Sequence, residues 1–350
     1  MNGIVLMPSP TARAELVTDG VPRACCVAGD GNLKSLMTHA RRHAGETFGA
    51  GPAFLAVHAP FGGDAFSGPA RIDQNVLSIL DDLSAQAPAH VPATLAAARA
   101  ALEFFPETPA ILVSETAFFV RLPRRESAYG LNADLMRRLH LRRTGYHGIF
   151  HEASYGHARR VLRSPRRGGP VRVLSICLEL KPEVAAVANG RPVMVTGGAT
   201  PLEGLPGETS CGEIDAALPL ALMEHAGLGP QEIGHILARG SGLRGLTGRA
   251  MTFPEVFRCE APECAAARDF FHYRLLLACG AGLAALSGLD GIVFSGRYAK
   301  LGAEIGPSLI GQLHRAMRSA GPPPQWIVFA DCLAKLIADQ ALRALRPAVV

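Results

Sequence analysis

The run VRVLSICLELKPEVAAVANGRPVMV, residues 171–195, decides the fold. Residues 171–177 read as a strand. Residues 184–188 and 192–195 flank Asn189-Gly190, a dipeptide that tolerates positive φ and closes two-residue hairpins, so these segments pair. Upstream, residues 164–170 (Ser-Pro-Arg-Arg-Gly-Gly-Pro) read as a turn or linker and residues 151–163 as a helix. Downstream, helices are expected near 213–226, 230–238 and 263–288. They are followed by a strand at 291–295, a helix, a strand at 326–330 and a last helix to Leu345.

The first half follows the same scheme. Residues 3–7 form a strand, residues 8–11 a turn, and residues 16–18 a hairpin return. A helix over 32–43 precedes a buried strand at 54–58, which runs into the turn Phe61-Gly62-Gly63-Asp64. Val76, Leu80 and Leu83 recur at helical spacing over 75–84. Pro92 opens a second helix to Phe105. A strand at 110–113 and a helix near 131–140 complete this half. Strands alternate with helices in both halves, and each half opens with a hairpin-like pair. The expected fold is α/β, with two similar lobes and a cleft between them.

Length and composition agree. The chain has 350 residues, enough for two domains; 48% are hydrophobic and 19% charged, which excludes wholesale disorder. A net charge of +5 is mild. Thirteen arginines between Arg121 and Arg172 read as a solvated surface, and 6% aromatics supply few platforms for base stacking, so nucleic acid is not an expected partner. The start has no basic region followed by a long apolar core, so no signal peptide is expected. The most apolar run, 275–289, is short of the ~20 residues that span a bilayer and reads as a buried helix. Eight irregularly spaced cysteines make no disulfide framework, which points to reduced thiols and a cytoplasmic protein. Cys259 and Cys264, with His272 and Cys279 beyond, lack the spacing of a zinc site. His151-Glu152-Ala153-Ser154-Tyr155 begins like a zincin motif but lacks the second histidine.

Eight colinear segments carry a resemblance. Phe61-Gly62-Gly63-Asp64-Ala65-Phe66 is similar to H-G-G-E-K-F, and Leu83 through Leu95 to L-S-x-L-A-P-L-H-N-P-A-N-L. Ser114-Glu115-Thr116-Ala117-Phe118 is similar to F-D-T-A-F, and Arg142 through His151 to R-R-Y-G-F-H-G-T-S-H. Thr200 through Leu205 equals T-P-L-E-G-L. Gly212 through Asp215, Ser241 through Gly248, and Tyr273-Arg274 with Gly288 through Gly296 continue the series. Together they resemble the acetate kinase family, of the sugar-kinase, heat-shock ATPase and actin superfamily. The resemblance implies two ribonuclease-H-like lobes, residues 1–146 with 333–350 and residues 147–332. It also implies a homodimer paired through the second lobe. The implied reaction uses Mg2+ and ATP to phosphorylate acetate or another short-chain carboxylate, giving an acyl phosphate and ADP.

The resemblance also places the site. Glu115 stands where the family has its catalytic Asp, and His147 where it has a transition-state-stabilising His. His90 matches the His of the P-L-H-N-P segment. The family's two arginines fall on His58, expected at the carboxylate substrate, and on Ser210, expected at the transferring phosphoryl group. An arginine supplies a permanent charge and a planar fork; Ser210 supplies neither. The Asn and Lys of the first phosphate hairpin fall on Met7 and Ala14; a rival alignment on Gly31-Asn32-Leu33-Lys34 restores the Lys. The phosphate loop falls on Cys177-Leu178-Glu179-Leu180-Lys181-Pro182-Glu183, where the glycines are gone and two carboxylates face a phosphate. The adenosine loop falls on Arg297-Tyr298-Ala299-Lys300, and the metal-linked Glu near Leu333 and Ala334. Two readings stay open: a carboxylate phosphotransferase with altered cofactor handling, and an inactive paralogue that binds a ligand or a partner. For acetate phosphorylation the substitutions favour the second.

Overall fold

The computed structural model describes residues 1–8, 12–27, 32–49, 51–87, 89–162, 171–317 and 323–346. Most of the expected 8–11 turn and the 164–170 linker lie outside them. The first sheet is built from β1 (Asn2–Met7), β2 (Arg13–Thr18), β3 (Val21–Val27), β4 (Phe54–Ala59), β5 (Ala70–Arg71) and β6 (Ala110–Ser114), in the order β3-β2-β1-β4-β6-β5. The second is built from β7 (Arg172–Cys177), β8 (Glu183–Ala188), β9 (Arg191–Val195), β10 (Gly291–Ser295) and β11 (Gln325–Val328), in the order β11-β10-β7-β8-β9. In each, an antiparallel meander of three strands is continued by two parallel strands. The two series have the same order.

Turn chemistry sets both meanders. Asn189 (φ 52°) and Gly190 (φ 76°) sit between the paired Ala188 and Arg191, as Asp19 (φ 50°) and Gly20 (φ 77°) sit between Thr18 and Val21. Two successive positive φ values match the right-handed twist of the flanking strands. The second of these turns makes β3, a strand beyond the expected hairpin. β3 is an edge strand with five of seven residues exposed and carries Pro22 and Arg23, so it shows no apolar alternation to reveal it. All six residues of β4 are buried, because helices cover both faces of this parallel strand.

Three apolar clusters divide the interior. The first packs one face of the first sheet against helices Leu33–Phe48, Gln74–Leu83 and Val91–Phe104. The third packs the outer face of the second sheet against helices Pro262–Leu286 and Gly302–Met317. The second lies between the sheets: Val5, Phe54 and Val113 from one, Val173, Val187 and Val293 from the other, with helices Gly148–Val161 and Leu333–Leu345 between them.

The apolar run 275–289 differs from expectation. Leu275, Cys279, Gly282 and Leu286 are buried along one side of the Pro262–Leu286 helix, yet Phe270, Tyr273 and Leu277 are exposed on the other. The helix is covered on one face only. Among the described residues no helix is long and apolar enough to cross a membrane.

Candidate functional site

The site is assembled around the N-terminus of the Gly148–Val161 helix. That end reaches β6 because residue 148 has no side chain: a Cβ there would stand 2.1 Å from the Glu115 carbonyl oxygen. Its cap residue, His147, makes no side-chain cap bond, so the first N–H groups need acceptors from elsewhere. Two buried carboxylates from distant parts of the chain supply them.

Glu115 directly follows β6 and is 3% exposed. Its Oε2 accepts the Ile149 N–H at 3.1 Å, and its Oε1 lies 3.1 Å from Nε2 of His58, near the end of neighbouring β4. The next residue, Thr116, accepts the Gly62 N–H at 3.0 Å, which fixes the glycine turn against β6. Both oxygens of Glu115 are therefore engaged inside the protein.

Glu183, the first residue of β8, is also 3% exposed. It accepts the N–H groups of Tyr146 and His147, each at 3.0 Å, and lies 3.2 Å from His151 Nε2. His151 is fully buried, its Nδ1 2.8 Å from Ser175 Oγ. His147 Nε2 is 3.0 Å from the Lys181 carbonyl oxygen. Burial pushes the Glu183 carboxyl upward, but His151, His147 and Lys181 outweigh it and bring the group down to about 2. Burial pulls the Lys181 ammonium down, and its Nζ donates to the Glu203 carbonyl oxygen. The helix dipole favours both carboxylates.

His90 caps the Val91–Phe104 helix beside a cavity of about 170 Å³, which is also lined by Phe61, Arg142, Thr144, Tyr146 and Pro201. Burial, then the neighbouring His58, lowers the His90 pKa and keeps its ring neutral at pH 7. His90 Nδ1 and Arg142 Nε are buried without a hydrogen-bond partner among the described residues. The rest of the Arg142 guanidinium pairs with Asp64 and donates to the Phe119 carbonyl at 3.1 Å. Tyr146 donates its hydroxyl to the Ala199 carbonyl at 2.9 Å. The T-P-L-E-G-L segment braces this wall: Glu203 holds Arg143 at 2.6 Å and accepts the Tyr129 hydroxyl.

The two segments expected at the nucleotide lie side by side. Leu178 N–H donates to Ser295 O at 2.8 Å, and Tyr298 N–H to Leu178 O at 2.9 Å. Glu179 accepts the Arg297 N–H at 2.8 Å and lies 3.3 Å from its Nε. Cys177 is fully buried, and that burial pushes its thiol well up. Ala299 is buried, while Leu180 and Lys300 are exposed. Met7, Ala14 and Ala334 are 2%, 0% and 2% exposed. They offer a thioether and two methyl groups, which do not suit a hard cation that takes oxygen ligands. Among the described residues no group of three or more His, Cys, Asp or Glu could hold a metal ion. Ser210 is 9% exposed, and its carbonyl accepts the Gly207 N–H at 3.0 Å. No described hydrogen bond or ion pair joins it to Glu115 or His147.

The structure thus brings Glu115, His58 and His147 together at one helix end and sets His90 beside the adjoining cavity. Sequence reasoning missed the acceptor role of Glu183 and the wall formed by Arg142 and Tyr146. No local sequence signal marks Glu183, because its place opposite Cys177 is set by the β7–β8 register.

The acetokinase family profile matches residues 56–314, most of the chain. The chain belongs to the acetokinase family. It is 33% identical to an acetate kinase of Thermotoga petrophila over 238 residues, 67% of this chain and 59% of that protein. It is 36% identical to an acetate kinase of Clavibacter michiganensis over 247 residues, 70% of this chain and 62% of that one. The chain therefore spans about three fifths of the length of these curated relatives. A propionate kinase structure from Francisella tularensis superposes with a TM-score of 0.85 at 21% identity, covering 97% of this chain and 98% of that one. The acetate kinase of Entamoeba histolytica gives 0.84 at 17%, covering 98% and 99%. These likenesses show the fold.

Proposed function

We propose that this acetokinase-family protein is a phosphotransferase homologue whose transfer from ATP to acetate, or to another short carboxylate, is weak or lost. In this reading it acts chiefly by holding a small carboxylate or acyl phosphate in the His90 cavity. The observation that carries the reading is the engagement of Glu115: both oxygens are taken by His58 and the Ile149 N–H. Phosphoryl transfer depends on preorganised cations around the equatorial oxygens, and loss of a single transition-state arginine costs roughly 10³–10⁵ in rate. Here both arginine positions are substituted, and Arg142 is already paired with Asp64. The buried apolar side chains at 7, 14 and 334 support weakened handling of Mg2+ and ATP.

Trapping acyl phosphate as its hydroxamate, with Mg-ATP and acetate or propionate, tests this. Formation at least ~10³-fold slower than by an active family member is expected; a comparable rate sinks the reading. The second reading, a slow kinase, is favoured by one observation: a carboxylate still stands at the end of β6 beside the His147 helix terminus.

The repeated strand order supports two ribonuclease-H-like lobes, 1–146 with 333–350 and 147–332, facing a cleft. The exposed Phe270, Tyr273 and Leu277 support a homodimer through the second lobe. So does the Leu218–Ala226 helix, which buries no residue and exposes Leu218, Leu220 and Met223. Eight unpaired thiols support a reducing, cytoplasmic setting.

A further inference from the structure

Two thiols meet away from the candidate site, where the Phe253–Arg258 helix turns into the Pro262–Leu286 helix. Cys259 caps the first helix and is half-buried; Cys264 lies in the first turn of the second and is fully buried. One guanidinium nitrogen of Arg249 is 3.9 Å from Cys259 Sγ and 3.7 Å from Cys264 Sγ. The same nitrogen is 2.8 Å from Glu263. The Cys264 thiol donates to Met251 Sδ at 3.9 Å. The neighbouring Cys264, the Ala261 backbone and the Arg249 charge lower the Cys259 pKa; the neighbouring Cys259, then burial, raises that of Cys264. A partly exposed, thiolate-prone sulfur thus shares one guanidinium nitrogen with a buried thiol held as SH, the arrangement of an attacking and a resolving cysteine. Burial pushes the thiols of Cys177 and Cys279 up instead, and neither is accessible.

We propose that Cys259 and Cys264 form a reversible redox dithiol oxidised by a hydroperoxide, with hydrogen peroxide the simplest. The Cys259 thiolate attacks one peroxide oxygen. The O–O bond breaks, the distal oxygen leaves as hydroxide and takes up a proton to give water, and Cys259 becomes a sulfenic acid. Cys264 Sγ then attacks Cys259 Sγ, the S–O bond breaks, and a second water leaves with the Cys264 proton. The peroxide gains two electrons and the two thiols lose two. The resulting bridge would fasten the turn to the start of the long helix. A thiol reductant reverses it by exchange.

The test uses the full chain. After mild peroxide treatment, blocking of free thiols and tryptic digestion, residues 259–268 should appear as one unblocked peptide lacking two hydrogens, restored by dithiothreitol. Cys264→Ser should leave Cys259 as a sulfenic acid that dimedone traps. Should that variant fold poorly, Arg249→Met is the second measurement, with an expected loss of about tenfold in oxidation rate for each unit by which the Cys259 pKa rises. The proposal is overturned if both thiols stay blockable while exposed Cys25 or Cys332 is consumed, or if Cys259 oxidises without a bridge. An unchanged rate in Arg249→Met overturns the assignment of the guanidinium.

Discussion

Glu183 shows how a buried charge is made tolerable. It has two backbone donors, two histidines and Lys181 around it. Its folded pKa, about 2, lies below the ordinary 4.5. The folded protein therefore binds this proton less tightly than the unfolded chain. Stability from Glu183 is complete above pH 4.5 and is lost as pH falls toward 2. Glu183→Gln keeps an acceptor oxygen but leaves the buried Lys181 ammonium without its neighbouring counter-charge. We expect a loss of about 3 kcal/mol at pH 7 in urea unfolding. The gap to wild type should narrow as pH drops below 4.5. A constant gap across that window would remove the charge argument. His58→Ala should likewise cost about 3 kcal/mol, read as a lower urea midpoint, because it leaves one Glu115 oxygen buried without its partner.

At the scale of elements, the Gly148–Val161 helix is the part on which the site depends. Gly148→Ala drives a methyl group into the Glu115 backbone, which cannot move without β6. The helix must retreat and give up the Ile149–Glu115 bond. We expect destabilisation of about 3 kcal/mol, with faster amide exchange at Ile149. An unchanged melting temperature would contradict the packing described. This helix also shows what the sequence could disclose. Asn189-Gly190 announces its hairpin locally, because two adjacent residues carry the whole signal. The helix start does not: it was expected at residue 151 and lies at Gly148, since its caps come from Glu115 and Glu183, each more than thirty positions away. β3 escaped because an edge strand need not alternate. The one-sided burial of the long helix escaped because its run is apolar on both faces. At the candidate site, motifs single out Glu115, His58, His90 and His147, and the fold places them near one helix end; the internal neutralisation of the carboxylates has no such signal, because it depends on which strand ends lie together.

At the scale of the molecule, two sheets that share a five-strand order, the first with β5 added at its edge, enclose two shared helices, and the second half carries an apolar outer face. If that face joins two copies, Tyr273→Glu with Leu277→Glu should place charge in an interface that needs about 800 Å² per partner. Light scattering should then report dimers for the wild type and monomers for the variant. Identical masses for the two would remove this face from the proposed assembly.

In the proposed reading, the chain's own side chains occupy the positions where acetate kinases handle phosphate. Calorimetry of the purified protein with Mg-ATP and Mg-ADP, followed by an acetyl phosphate assay on the same sample, tests it most directly. We predict no heat of binding at millimolar nucleotide and no turnover. Saturable binding accompanied by acetyl phosphate formation would contradict it.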